Sequence, residues 1–326
     1  MANFVMRFDM RCPSISPATP NELYRAALDM AGWAEDNGVL SVTVSEHHGV
    51  DDGYLSSPMV MAGAIAGATN SIMINIAAAL APLHDPLRLA EDIAVLDLAS
   101  NGRVSFVLGI GYRPSEYAMF DKDWKGRGQA FDDILGVLKQ AWTGEPFEYD
   151  GRTVRVTPRP QSRPHPIVFV GGSSPNAARR AAKHGMHFLP ALGDPSLEQI
   201  YRDECARLGT QPGMVMLPEG PGFVHVADDP DKAWAELGQY LLYETTVYAS
   251  WQLKGQTSHV HSHATTADEL RAEGNYKIVT PDECVALAKE LGPMASLVLH
   301  PLIGGMPPEA AWSSLELISS QVLPQL

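Results

Sequence analysis

Ser45-Glu-His-His48 brings a hydroxyl, a carboxylate and two imidazoles together directly after the run Val39-Leu-Ser-Val-Thr-Val44. The run is β-branched or leucine except for one serine, which reads as a buried strand of a parallel sheet. In parallel α/β folds, ligands gather just beyond the carboxyl ends of strands. An imidazole with an ordinary pKa of ~6.5 can give or take a proton near neutrality. His47 is therefore the candidate proton-handling group, with Glu46 or His48 setting its orientation. The open alternative is a histidine pair satisfied by backbone at the start of a loop.

A second chemistry lies at Gly171-Gly-Ser-Ser174, which follows the apolar stretch Ile167–Val170 and precedes Pro175. A strand-to-helix turn of this kind presents backbone N–H groups at a helix N-terminus, where a phosphate is favoured. Glycine removes the side chain that would block close approach, and serine adds hydroxyl donors. Arg113 and Arg127 supply guanidinium groups matched to phosphate geometry. The alternatives are an ordinary turn with an N-cap serine, and a surface ion pair of Arg113 with Glu116 or Asp121.

Other histidines fit a metal less well. His84 follows the third strand, where it could line a pocket or cap the helix that opens at Asp85-Pro86. His259-x-His-x-His263 lies in sequence without periodicity. A metal-dependent barrel hydrolase usually begins with a His-x-His at the end of strand one, but here that strand ends Phe8-Asp9-Met10. No metal site is assigned on these grounds.

The elements that must position these groups alternate regularly. Strand-like stretches at 4–10, 39–45, 72–79, 103–110, 167–170, 186–190, 222–226 and 295–300 alternate with helical ones, most of which begin at proline. Residues 109–123 read as a loop, 147–156 as a hairpin turning at Asp150-Gly151, and 245–275 as an irregular insertion. The pattern predicts a (β/α)8 TIM barrel, one domain over residues 1–326. A doubly wound sheet is the alternative. Its dinucleotide fingerprint starts at Gly109-Ile-Gly111 and fails at Arg113-Pro114.

Composition narrows the class. The chain has 326 residues, 45% hydrophobic, with a net charge of −14. That acidity argues against nucleic acid or an anionic membrane as partner. Three scattered cysteines without a CxxC fit a reducing compartment. The apolar runs are too short to span a bilayer, and no signal-like N-terminus is evident, so a cytoplasmic protein is expected.

Several separated stretches, in order, resemble one family. They are Val44-Ser-Glu-His-His-Gly49, Pro58 with its Ala-rich helix, Ala81-Pro-Leu-His-Asp-Pro-Leu-Arg-Leu-Ala-Glu-Asp92, Leu96-Asp-Leu-Ala-Ser-Asn-Gly-Arg103, Gly109-Ile-Gly-Tyr-Arg113 and Gly171-Gly-Ser-Ser174. Together they are similar to the bacterial luciferase-like flavin monooxygenases, over almost the whole chain. The resemblance implies a (β/α)8 barrel that uses reduced FMN and oxygen on a small organic, apolar substrate. A deazaflavin-dependent dehydrogenase of the same family is the alternative. It implies that His47 is the active-site histidine beside the flavin, with Glu46 and His48 its neighbours. By the same resemblance Ala78 and Ala79 lie under the flavin ring, while Arg113, Arg127 and Gly171–Ser174 hold its phosphate. Tyr112 stands where luciferase has a reactive cysteine, so light chemistry is not expected. No second nicotinamide-binding module is present, which implies a separate flavin reductase. A homo-oligomer, dimeric or larger, is also expected.

Overall fold

The computed structural model describes residues 2–252 and 262–326. In chain order the elements are β1 (Asn3–Phe8), α1 (Pro20–Asp36), β2 (Ser41–Val44), α2 (Pro58–Ala68), β3 (Met73–Leu80), α3 (Pro86–Ala99), β4 (Val104–Gly109), α4 (Pro114–Met119) and α5 (Arg127–Ala141). They continue with β5 (Phe147–Tyr149), β6 (Arg152–Val154), β7 (Ile167–Gly171), α6 (Pro175–His184), β8 (His187–Leu189), α7 (Pro195–Leu208), β9 (Phe223–Val226) and α8 (Pro230–Trp251). The last are α9 (Ala267–Glu273), β10 (Tyr276–Val279), α10 (Pro281–Glu290), β11 (Ser296–Leu299) and α11 (Pro308–Leu317). All but α5 and α9 open on proline, whose fixed φ suits the first helical position.

The chain forms two compact units. The first comprises Met1–Thr43, Val50–Ser56 and Pro218–Leu326. Here β1 lies between β2 and β11. It pairs with β11 in parallel, from Asn3 opposite Ser296 to Met6 opposite Leu299. β9 and β10 also pair in parallel. Phe223, Trp234, Leu241, Tyr276, Ile278, Ile303 and Met306 form its core between these strands and α8.

The second unit comprises Val44–Gly49 and Ser57–Leu217. Its strands run β3-β4-β7-β8, all parallel. The β3–β4 register shifts between Ala77 and Ala79, and the Ala77–Ala78 peptide is cis. β5 and β6 form the expected hairpin, with positive φ at both Asp150 and Gly151, as a type I′ turn needs.

The fold is thus α/β with parallel strands and intervening helices. Four details differ from the sequence reading. β2 is four residues long with alternating rather than two-sided burial. The 109–123 stretch contains α4, a short helix started by Pro114. Tyr276–Val279, between the irregular stretch and α10, is a strand absent from the sequence reading.

Finally, residues 245–275 are not uniformly irregular. α8 continues through Trp251 because Glu244, Thr245 and Tyr248 are buried, so packing overrides the low helix propensity of Thr245-Thr-Val247. α9 has local start and stop signals: the Thr266 N-cap accepting from Glu269 N–H, and a left-handed Gly274. His259 and His261 lie outside the described residues; His263 is exposed. No helix among the described residues is long and apolar enough to cross a membrane.

Candidate active site

β2 delivers Ser45, Glu46, His47 and His48 into the second unit, each less than a tenth exposed. His47 Nδ1 lies 2.8 Å from Glu116 Oε1, and the Tyr112 hydroxyl lies 3.2 Å from His47 Nε2. Glu116 is fully enclosed on α4 and also accepts from the His48 N–H at 3.0 Å and Arg113 Nη1 at 3.0 Å. Burial alone would raise the Glu116 carboxyl. Hydrogen bonding and charge from His47, with Arg113, hold it below the usual range instead. An ionised carboxylate at Nδ1 assigns the proton there and turns Nε2 toward Tyr112. The sequence reading assigns the orienting role to Glu46 or His48; the carboxylate at hydrogen-bond distance from His47 Nδ1 is that of Glu116.

Glu46 does something else. Its Oε1 lies 2.7 Å from His48 Nε2 and 2.9 Å from His84 Nε2, and its Oε2 accepts from the Leu80 N–H at 2.7 Å. The Glu46 N–H donates to Ala78 O at 3.3 Å. The carboxylate thus ties the histidine loop to the carboxyl end of β3. His84 joins this cluster, and Asp85 supplies the cap of α3. Burial opposes the Glu46 charge, but bonds from His48, His84 and Leu80 hold its pKa at about 2. Burial would lower His84, yet the Glu46 carboxylate raises it above 6.5.

The sign of this linkage is testable. A raised His84 contributes stability below its unfolded value, lost as pH rises through its folded one. A depressed Glu46 contributes stability above its unfolded value, lost as pH falls toward about 2. Urea midpoints should therefore fall from pH 6 to about 9 in the parent protein and fall less in His84→Gln. Equal slopes would remove His84 from the network.

The other expected residues gather at the carboxyl ends of β3, β4 and β7. Ala78 is half-buried and Ala79 fully buried. Gly171 ends β7, and a Cβ there would stand 2.9 Å from Val107 Cγ1. Gly172 has φ +127°, and a Cβ on it would stand 3.1 Å from Ala177 Cβ. Only glycine fits this close, left-handed turn. Ser173 Oγ accepts from the Ala191 N–H, and Ser174 Oγ accepts from the Ala177 N–H as N-cap of α6. Each hydroxyl keeps its hydrogen for a further acceptor.

Arg127, at the start of α5, stacks 3.6 Å over the Trp124 ring and donates through Nη1 to Trp124 O. Its Nε is buried without a hydrogen-bond partner in the protein. Arg180 of α6 donates to Gly128 O at 3.2 Å, which fixes the start of α5 beside α6. A glycine cradle and an unanswered guanidinium donor fit a phosphate group. Arg113 is committed differently: its Nη1 donates to His48 O and Glu116, so the foreseen ion pair forms, buried among the histidines.

One aromatic stack joins the two halves of the site. Tyr117 is buried against Leu80 and Leu83, and its hydroxyl donates to Ile110 O. Its ring meets Trp124 edge-on at 5.2 Å, and Trp124 carries Arg127. Packing of Tyr117 thereby fixes the neighbouring Glu116. Sequence reasoning reaches Glu116 only as a surface partner of Arg113. Nothing in Pro114-Ser-Glu-Tyr117 marks that glutamate as buried.

Comparison with known proteins identifies the family. The chain matches the model of the luciferase-like monooxygenase family over residues 6–289 and belongs to that family. The oxygenase component of the flavin-dependent trigonelline monooxygenase of Acinetobacter baylyi is 24% identical over 192 residues, 56% of this chain and 53% of that protein. The chain spans about half the length of the first curated relatives it matches. The oxygenating constituent of 3,6-diketocamphane monooxygenase from Pseudomonas putida, solved with FMN, has a TM-score of 0.72 at 18% identity, covering 100% of this chain and 99% of that one. An F420-dependent secondary alcohol dehydrogenase, solved with an F420–acetone adduct, has a TM-score of 0.69 at 19% identity, with the same coverage. At these identities the two structures speak for the fold alone. A flavin-type cofactor is common to these relatives.

Proposed function

We propose that this protein is the oxygenase of a two-component, FMN-dependent monooxygenase acting on a small apolar organic substrate. The observation that carries the reading is the oriented dyad Glu116–His47, with Tyr112, after the carboxyl ends of β2 and β4, in the same unit as the Gly171-Gly172 turn at the end of β7 and the unpartnered Arg127 Nε. Gly171–Ser174 and Arg127 bind the cofactor phosphate. Ala78, small and half-buried, lets the flavin ring approach the end of β3. When bound, reduced flavin supplies the electrons that activate oxygen. His47 holds or moves a proton at Nε2, and Glu116 keeps the ring in the required tautomer. Glu46 and His48 support that loop. Exposed Met119, Met214 and Met216 offer adaptable apolar surface to a substrate.

The relative described as an oxygenase component supports a separate reductase for this chain. The near-complete coverage of the solved structures supports one domain over residues 1–326, which we read as a (β/α)8 barrel. The composition supports a cytoplasmic location. The apolar outer faces of α2 and α3, with Val60 74% and Val95 50% exposed, support a homodimer; a monomer by sedimentation at micromolar concentration would remove that element.

A second reading is a deazaflavin-dependent dehydrogenase, since the same fold, at a TM-score of 0.69, serves the F420 enzyme. His47 would then exchange a proton with the substrate during hydride transfer. Titration of the pure protein with FMN and with F420, each oxidised and reduced, separates the two. The first reading expects FMN to bind and its reduced form to drive oxygen uptake. Binding of F420 with no response to FMN would replace it with the second.

A further inference from the structure

Three acidic side chains, two arginines and a histidine are buried together in the first unit. Asp9 follows β1, His300 follows the paired strand β11, and Glu244 lies on α8; all three are at most 1% exposed. Arg11 pairs with Asp52 and, through Nε at 3.2 Å, with Asp9 Oδ2. The Arg11 N–H donates to Asp9 Oδ1 at 3.1 Å. Arg7 Nη1 lies 3.4 Å from Glu244 Oε1, and the Tyr276 hydroxyl donates to Glu244 Oε2 at 3.1 Å. Asp9, Asp52 and Glu244 give three negative charges; Arg7 and Arg11 give two positive. Arg7 is itself 16% exposed and partly solvated. With His300 neutral, the enclosed group is short of positive charge, a costly state in a low-dielectric interior that a proton or a bound cation would relieve.

Each of the three side chains carries an unsatisfied atom. Asp9 Oδ2, Glu244 Oε1 and His300 Nε2 are buried without hydrogen-bond partners. His300 Nε2 is 3.6 Å from Asp9 Oδ1, and Nδ1 is 3.5 Å from Glu244 Oε1. Both distances are long for hydrogen bonds. They run to opposite nitrogens of the ring, of which one ion can take only one, so each is an alternative ligand edge, close to the about 3.4 Å expected for bonds of ~2.1 Å. One donor atom from each of Asp9, Glu244 and His300 lies within 4.8 Å of the others.

We propose that Asp9, Glu244 and His300 form a structural site for a first-row divalent cation, Zn2+ or Mn2+, which clamps β1, β11 and α8 together. The mixed carboxylate–imidazole donors suit such ions. Arg11 then holds the second oxygen of Asp9, and Tyr276 that of Glu244, as supporting partners of the ligands. A divalent ion cancels the charge of Asp9 and Glu244 and leaves Arg11 to Asp52. None of these residues is among those proposed to hold the flavin, and the ion is proposed as structural.

The test uses the full-length protein, stripped with a chelator and titrated separately with Zn2+ and Mn2+ without flavin. One equivalent of Zn2+ or Mn2+ should bind, and about a hundredfold excess over Kd should raise Tm by several degrees. Asp9→Asn and Glu244→Gln should each abolish binding and the thermal gain. Should those variants misfold, Co2+ bound to the parent protein should still show the visible absorption of a site with a nitrogen ligand and low coordination number. Absence of a stoichiometric ion, with Tm unmoved, would mean that a proton supplies the missing charge, and the proposal fails. Unchanged stoichiometry in folded Asp9→Asn and Glu244→Gln would place the ion elsewhere and would equally overturn the proposal.

Discussion

His47→Ala should bind FMN within about threefold of the parent protein while losing ~10²–10⁴-fold in the rate of oxygen-dependent turnover. The imidazole is expected to touch the reacting end of the cofactor, remote from the phosphate cradle, so affinity and chemistry separate. Stopped-flow absorbance of bound flavin, mixed with oxygen across a pH series, reads both. Glu116→Gln sharpens the test because the side chain stays the same size. It removes the charge facing Nδ1 at 2.8 Å, so turnover should fall ~10–100-fold, the usual effect of losing a partner that orients a functional histidine. The pH profile should move as well, which a merely structural role for Glu116 would not produce. Full activity in His47→Ala would remove the imidazole from the mechanism.

Glu46→Ala should be the most destabilising single change in the site. The carboxylate holds the His48 and His84 rings and the Leu80 N–H. Its removal strands a buried backbone donor and two imidazoles together. Losing one member of a buried charged network costs about 3–5 kcal/mol, and each unmet donor adds to this. Urea unfolding should show that loss as a lower midpoint with an unchanged m-value. Glu46→Gln, which keeps one carbonyl acceptor, should cost less. A loss below about 1 kcal/mol in Glu46→Ala would mean that water or relaxation replaces the network.

Much of this arrangement is legible in the residues. Proline and N-cap signals mark the helix starts, including Ser57-Pro58, Asp85-Pro86 and Thr280-Pro281. Apolar runs mark most strands. The Ser45–His48 cluster and the Gly171–Ser174 turn both stand where strand-end logic puts them. What is not legible depends on contacts between residues far apart in sequence. Glu116 reaches His47 across 69 positions, and α4 is too short for periodicity to reveal. Arg113 and Arg127 look alike in sequence, yet the first bonds Glu116 through Nη1 and the other keeps an unanswered N–H. The end of α8 is hidden because its β-branched residues oppose helix until burial of Thr245 and Tyr248 is taken into account.

The central claim is that Gly171–Ser174 and Arg127 grip a phosphate whose flavin reaches His47. Its most direct test is to titrate the protein with FMN and with riboflavin, which differ only in that phosphate, in the parent and in Arg127→Ala. FMN should bind at least about tenfold more tightly than riboflavin, as a charge-assisted, bidentate phosphate contact requires, and the variant should lose most of that preference. Equal affinity for the two flavins in the parent protein would contradict the claim.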